Sequence, residues 1–195
     1  DNKIKLILAL GSHHFSKKLG LTANEIIKNK IKIDYSCNIK TNQTNFKQVI
    51  NYCGKSMIQY SRFIEKKKPD LVVLLGDRYE VFSFCIASFF LNVPIAHLHG
   101  GELTEGAFDD TLRHSITKMS NYHFVCHETY KKRVIQLGEN PKNVFNYGAL
   151  SLENAAQRKF TNKSKLFKMY KIPSDKKIIL ATFHPETRSK IPLKK

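Results

Sequence analysis

No apolar run among the 195 residues approaches the roughly 18 needed to cross a bilayer as a helix, which excludes a helical membrane span. The opening residues, Asp1-Asn2-Lys3-Ile4-Lys5, lead straight into an apolar stretch. They lack the charged, apolar and small-residue layout of a secretory signal, so a cytoplasmic location without membrane partners is expected. Cysteine is scarce: Cys37, Cys53, Cys85 and Cys126 occur, with no C-x-x-C pair. Reduced thiols are expected, with Cys85 and Cys126 as small buried hydrophobes and no metal site. The nine glycines form no G-x-G-x-x-G, which disfavours a dinucleotide, and no cofactor is expected. Acid is short as well. Sixteen Asp and Glu face 33 Lys and Arg, a formal net charge of +17 at pH 7. Such an excess raises nucleic acid as a partner. The basic residues, however, are mostly Lys spread along the chain, and no helix-turn-helix, RNP or zinc-finger pattern accompanies them. The densest run, Glu65-Lys66-Lys67-Lys68, closes a helix, where cations suit the dipole. No nucleic-acid partner is expected.

What is present centres on residues 70–110. Residues 71–75 form a short apolar run, read as a strand buried on both faces, and end in Gly76-Asp77-Arg78-Tyr79-Glu80. An apolar helical segment follows over 81–91. A second buried strand over 93–98 ends in His99-Gly100-Gly101-Glu102. Two consecutive strands thus deliver Gly and ionisable residues at their C-terminal tips, the edge where open α/β sheets bind ligands. The second tip continues through Glu105 and Gly106 to Asp109-Asp110, a pair placed to cap and charge a helix over 111–120 that carries Arg113 and His114.

The rest of the chain alternates strand and helix. Strands are expected over 3–10, 31–35, 122–126 and 144–147, and helices over 23–29, 44–68 and 128–137. The pattern implies a doubly wound parallel α/β sheet. Residues 1–150 read as one Rossmann-like domain and 151–175 as a Lys-rich linker with helical pieces. Residues 176–195 read as the start of a second domain, with a strand over 178–183. His13 and His14 follow a strand tip and either line the cleft or sit in an exposed loop. Glu80 either touches substrate or pairs locally. His97, two residues before His99, shares its strand face, so one of the pair can orient the other. Asp110 reads as a helix cap, and His123 and His127 as structural.

The ordered set GDRYE, then HLHGGELTEGAFDD-x-x-RH-x-ITKMS, then HFV and KRVIQLGE, is similar to the hydrolysing UDP-N-acetylglucosamine 2-epimerases of sialic-acid-type pathways. The similarity resumes at Thr182-Phe183-His184-Pro185. It implies two Rossmann-like domains facing one cleft, a GT-B-type fold, and a homodimer when full length. It also implies that this chain is a piece, without a first strand and its Gly-Thr-Arg-type loop and without most of the second domain.

The implied reaction takes UDP-N-acetylglucosamine to UDP and N-acetylmannosamine. The C2 proton is removed as UDP leaves C1, and water then adds to the 2-acetamidoglucal. Asp77 and Asp109 take acid/base positions. His99 stands where several relatives carry Glu, so its role as acid or base is open. Arg78 and His184 match diphosphate contacts. Glu102 and Arg113 join the substrate-binding set, with Arg113 as charge partner of Asp109. Two other readings stand beside this one: a UDP-2,4-diacetamido-sugar epimerase of the same family, and a non-catalytic nucleotide-binding fragment.

Overall fold

The computed structural model describes residues 3–17, 20–39, 45–158 and 160–182. Strands β1 (Ala9–Leu10) and β2 (Tyr35–Ser36) pair in parallel, joined through a 3-10 turn at Ser12–Phe15 and helix α1 (Ala23–Lys28). Both strands are shorter than the sequence suggests. Ile4 and Leu6 are apolar but exposed, and outside the Ala9–Leu10 register they have no neighbouring strand.

Helix α2 (Phe46–Lys67) forms where apolar residues recur at helical spacing, with Tyr52, Tyr60 and Ile64 buried along one stripe. Asn45 caps it, its side chain accepting the Gln48 N–H at 3.0 Å. Lys68, left-handed at φ 48°, ends it before Pro69.

Strands β3 (Val72–Leu75), β4 (Ile95–Leu98), β5 (Tyr122–Val125) and β6 (Val144–Asn146) form one parallel sheet in that order. Helices α3 (Tyr79–Phe90), α4 (Phe108–Met119) and α5 (Glu128–Gln136) are the crossovers. Each strand lies beside its predecessor, so right-handed crossovers bring all three helices to one face. That face holds Val72, Leu74 and Ile95 against Cys85 and Ile116, and Val125 and Val144 against Val134.

The other face lies open. Val73 is 60% and Leu75 57% exposed, so β3 is buried on one face, not two as its unbroken apolar run suggests. Helix α4 begins at Phe108, three residues earlier than expected. Asp109 and Asp110 therefore lie in its first turn, and Ala107 is the capping residue. Helices α6 (Leu150–Gln157) and α7 (Lys163–Met169) follow. Residues 178–182 carry no strand, and Ile179 and Leu180 are 91% and 94% exposed. A strand needs a partner, and none of the described strands pairs with this stretch. Phe183, His184 and Pro185 lie outside the described residues. No helix among the described residues is long and apolar enough to cross a membrane.

Candidate functional site

The register Leu75↔Leu98 brings the ends of β3 and β4 side by side. Gly76, at φ +86°, turns the chain out of β3, and its N–H donates to the Leu98 carbonyl at 3.3 Å. His97 locks the same junction from below. It is fully buried, with Nε2 2.8 Å from the Gly76 carbonyl and Nδ1 3.1 Å from Thr117 Oγ1. A carbonyl only accepts, so Nε2 carries the proton and Nδ1 accepts from the threonine hydroxyl. Burial pushes the His97 pKa down to about 4, against the pull of the Gly76 carbonyl. His97 therefore fastens the two tips and does not orient His99.

The turn after β4 needs both of its glycines. A Cβ at Gly100 would come within 3.1 Å of His97 Nδ1. One at Gly101, itself at φ +79°, would come within 2.6 Å of the Tyr130 carbonyl. His99 takes the left-handed region at φ +65° without being glycine, held by its N–H to the Phe124 carbonyl at 2.9 Å.

Arg113 is the centre of the cluster. It is only 5% exposed and reaches back from α4 to both tips. Nη2 pairs with Asp77 and donates to Thr104 Oγ1 at 3.0 Å, while Nη1 donates to the Glu102 carbonyl at 2.9 Å. Asp110 stands 3.5 Å from Nη1 and accepts the Thr104 N–H at 2.8 Å. The partner of Arg113 is thus Asp77, with Asp110 beside it, rather than Asp109. The Asp109 carboxyl has no hydrogen-bond partner among the described residues. Burial, then the charge of Asp77, raises its pKa against the opposing pull of Arg78 and Arg113.

A second ion group flanks the β3 tip. Glu80, 3% exposed, accepts two hydrogen bonds from Arg78, Nε at 3.1 Å and Nη2 at 3.2 Å, and stands 3.4 Å from His13 Nδ1. Burial opposes its ionisation. The His13 and Arg78 contacts and the Arg78 charge outweigh that and hold its pKa down at about 2. Glu80 therefore pairs locally, and His13 lies at the tip. His14 turns aside to Thr22 Oγ1 at 2.8 Å.

At the β4 tip, His99 Nδ1 lies 2.8 Å from Glu102 Oε1, and Cys126 Sγ donates to the same oxygen at 3.1 Å. Cys126 is half-buried and polar in its contacts, not the buried hydrophobe its apolar neighbours suggest. Elsewhere, His123 is buried against Glu139 and His127 caps α5 through the Thr129 N–H at 3.2 Å.

Asp77, Arg78, His99, Glu102, Asp109 and Arg113 thus collect at two adjacent strand tips and the first two turns of α4. The arrangement offers one carboxylate fixed on a buried guanidinium, a second carboxyl biased toward its protonated form, and an imidazole. Such a set can remove a proton on one side of a substrate and deliver one on another.

A family model described as UDP-N-acetylglucosamine 2-epimerase matches residues 1–195. The chain belongs to this family. It is 44% identical over 190 residues to a Campylobacter jejuni GDP/UDP-N,N'-diacetylbacillosamine 2-epimerase (hydrolyzing), covering 96% of this chain and 48% of the relative. To the Escherichia coli polysialic acid biosynthesis protein P7 it is 40% identical over 187 residues, with the same two coverages. The chain spans about half the length of these curated relatives. Among solved structures, the Neisseria meningitidis UDP-GlcNAc 2-epimerase bound to UDP-GlcNAc superposes with a TM-score of 0.68. The identity is 20%, and the match covers 90% of this chain and 48% of that one. At that identity the likeness shows the shared fold.

Within the epimerase family motifs, the sequence did not point to Thr104, Thr117 or Cys126 as parts of the site. The first two sit among ordinary loop and helix residues. Cys126 follows an apolar strand, and only the three-dimensional course of β5 brings it to Glu102.

Proposed function

We propose that the protein carrying this chain is a hydrolysing 2-epimerase of a UDP-activated 2-acetamido sugar. The observation that carries the reading is the buried Arg113, which gathers Asp77 from the β3 tip and the Glu102 loop from the β4 tip onto one helix. In the proposed reaction one carboxylate takes the C2 proton as the C1–oxygen bond to UDP breaks, leaving a 2-acetamidoglucal. Water then adds across C1–C2, oxygen at C1 and a proton at C2 from the opposite face.

Asp77, oriented by Arg113, and Asp109, biased toward protonation, are the acid/base pair, with His99 at the same edge. Arg78 and His184 are assigned to the departing diphosphate. Arg78 keeps donors beyond those given to Glu80, and its side chain is half exposed. Glu102 and Arg113 shape the wall. A second Rossmann-like domain beginning near residue 176, a homodimer and a cytoplasmic location belong to the same proposal.

For the sugar, the 44% identical relative and a Legionella pneumophila relative at 34% are both named as diacetylbacillosamine 2-epimerases, which favours a UDP-2,4-diacetamido sugar. UDP-N-acetylglucosamine is the second reading, favoured by the 40% identical polysialic acid protein and a Neisseria meningitidis relative at 28%. The test is to incubate the full-length protein with each UDP-sugar in D2O and follow UDP release and the C2 position by NMR. Deuterium at C2 of a free, inverted sugar supports the reading, and the faster substrate assigns the sugar. UDP binding without release or exchange supports the non-catalytic alternative and overturns it.

A further inference from the structure

We propose that His99, Glu102 and Cys126 form a binding site for a thiophilic divalent cation of the Zn²⁺ class, against the sequence expectation of no metal. One ligand atom from each residue lies within 4.8 Å of the other two, and all three residues are partly exposed. The donors are an imidazole nitrogen, a carboxylate oxygen and a sulfur. This mixed set suits zinc and is poor for magnesium or calcium, which take oxygen.

The two contacts to Glu102 are close to the spacing the ion requires. A tetrahedral ion with bonds of about 2.0–2.3 Å sets its donor atoms roughly 3.3–3.7 Å apart. His99 Nδ1 stands 2.8 Å and Cys126 Sγ 3.1 Å from Glu102 Oε1, so each contact opens by about half an ångström on loading.

Two segments supply the three residues: His99 and Glu102 share the turn after β4, and Cys126 comes from the end of β5. His99 is fixed by its N–H to the Phe124 carbonyl, and Glu102 by Arg113 on its carbonyl at 2.9 Å. Cys126 directly follows the last residue of β5. The backbone thus presents the three donors before any ion arrives. His99 also lines the groove on the open sheet face, which gives an ion a path in and leaves the fourth position for water.

Loading displaces one proton from the Cys126 thiol to solvent. It also moves the His99 proton from Nδ1 to Nε2, so that the ion replaces the two hydrogens now directed at Glu102.

The experiment titrates Co²⁺ into the reduced, metal-free full-length protein. It needs no substrate and stands whether or not the proposed reaction does. A thiolate-to-cobalt charge-transfer band that saturates at about one equivalent and is displaced by Zn²⁺ is expected. The band should vanish in Cys126→Ala and survive in Cys53→Ala, with Zn²⁺ affinity falling on the order of 10²-fold in Cys126→Ala. If Cys126→Ala unfolds, Cys126→Ser decides the same question by being folded and lacking the band. A folded wild-type protein without the band, or a band that survives loss of the Cys126 sulfur, overturns the site.

Discussion

The tips of β3 and β4 and the open face of the same sheet treat their side chains in opposite ways. At the tips, polar groups are partnered: Arg113 on Asp77, Arg78 on the buried Glu80, and the neutral His97 on the Gly76 carbonyl. On the open face, Leu71, Val73, Leu98, Phe124, Tyr147 and Leu150 line a mainly apolar groove of about 560 Å³, which His99 and Glu153 also border. Both surfaces come from one apolar strand and the residues after it. Alternation sends Val72 and Leu74 to the helices and Val73 and Leu75 to the open face, and Gly76 then breaks the alternation and turns Asp77 to the edge. Side chains at the tips are thus held by specific pairings, whereas those on the face contribute only through area. Substitutions should cost stability at the paired tip residues and little on the face.

The largest expected effect is at Arg113. Arg113→Met leaves the Asp77 carboxylate and the Glu102 carbonyl without their donor. We expect a loss on the order of 3–5 kcal/mol in urea unfolding. Arg113→Lys should recover only part of it, because one ammonium cannot replace a fork that serves three acceptors.

Next comes pH. The folded His97 pKa of about 4 lies below its ordinary value of 6.5. The unfolded chain therefore binds the extra proton between those values, and stability is full above pH 6.5 and is lost as pH falls toward 4. The contribution is about 3 kcal/mol. His123, also depressed by burial, acts in the same direction. Glu80, held at about 2 against an ordinary 4.5, adds a further loss below pH 4.5. His97→Gln should flatten the pH 4–6.5 segment of the stability curve; an unchanged slope would remove His97 from the account.

Asp109→Asn is expected to cut turnover on the order of 10²-fold while leaving the melting midpoint near wild type, since Asp109 gives up no partner. A large fall in melting midpoint would make Asp109 structural. The smallest effect belongs to the open face. Val73→Thr should change stability by no more than about 0.5 kcal/mol. It should nonetheless reduce self-association of the purified chain, read by light scattering, because it breaks an exposed apolar patch.

The βαβ unit from Val72 to Leu98 was legible because its apolar runs are unbroken and its turn residues cluster between them. Residues 3–10 carry the same kind of apolar run, yet only Ala9–Leu10 is strand. A run records what a strand would bury, and pairing depends on a neighbour that lies elsewhere in the chain. The site was legible in its residue types and not in its pairings. Arg113 next to an Asp pair suggests a local partner three or four residues away. Its main partner is Asp77, 36 residues earlier, brought near by the β3–β4 register. The polar setting of Cys126 is hidden in the sequence for the same reason, since nothing near it in the chain reports that β5 ends beside Glu102.

Asp77→Asn asks whether the two strand tips carry out the proposed proton transfer. In the full-length protein, deuterium incorporation at C2 of the UDP-sugar and the melting midpoint should be measured together. We expect incorporation to fall on the order of 10²-fold or more with the protein still folded, because the change removes a proton acceptor at nearly constant volume. Incorporation at the wild-type rate in a folded Asp77→Asn variant would contradict the account.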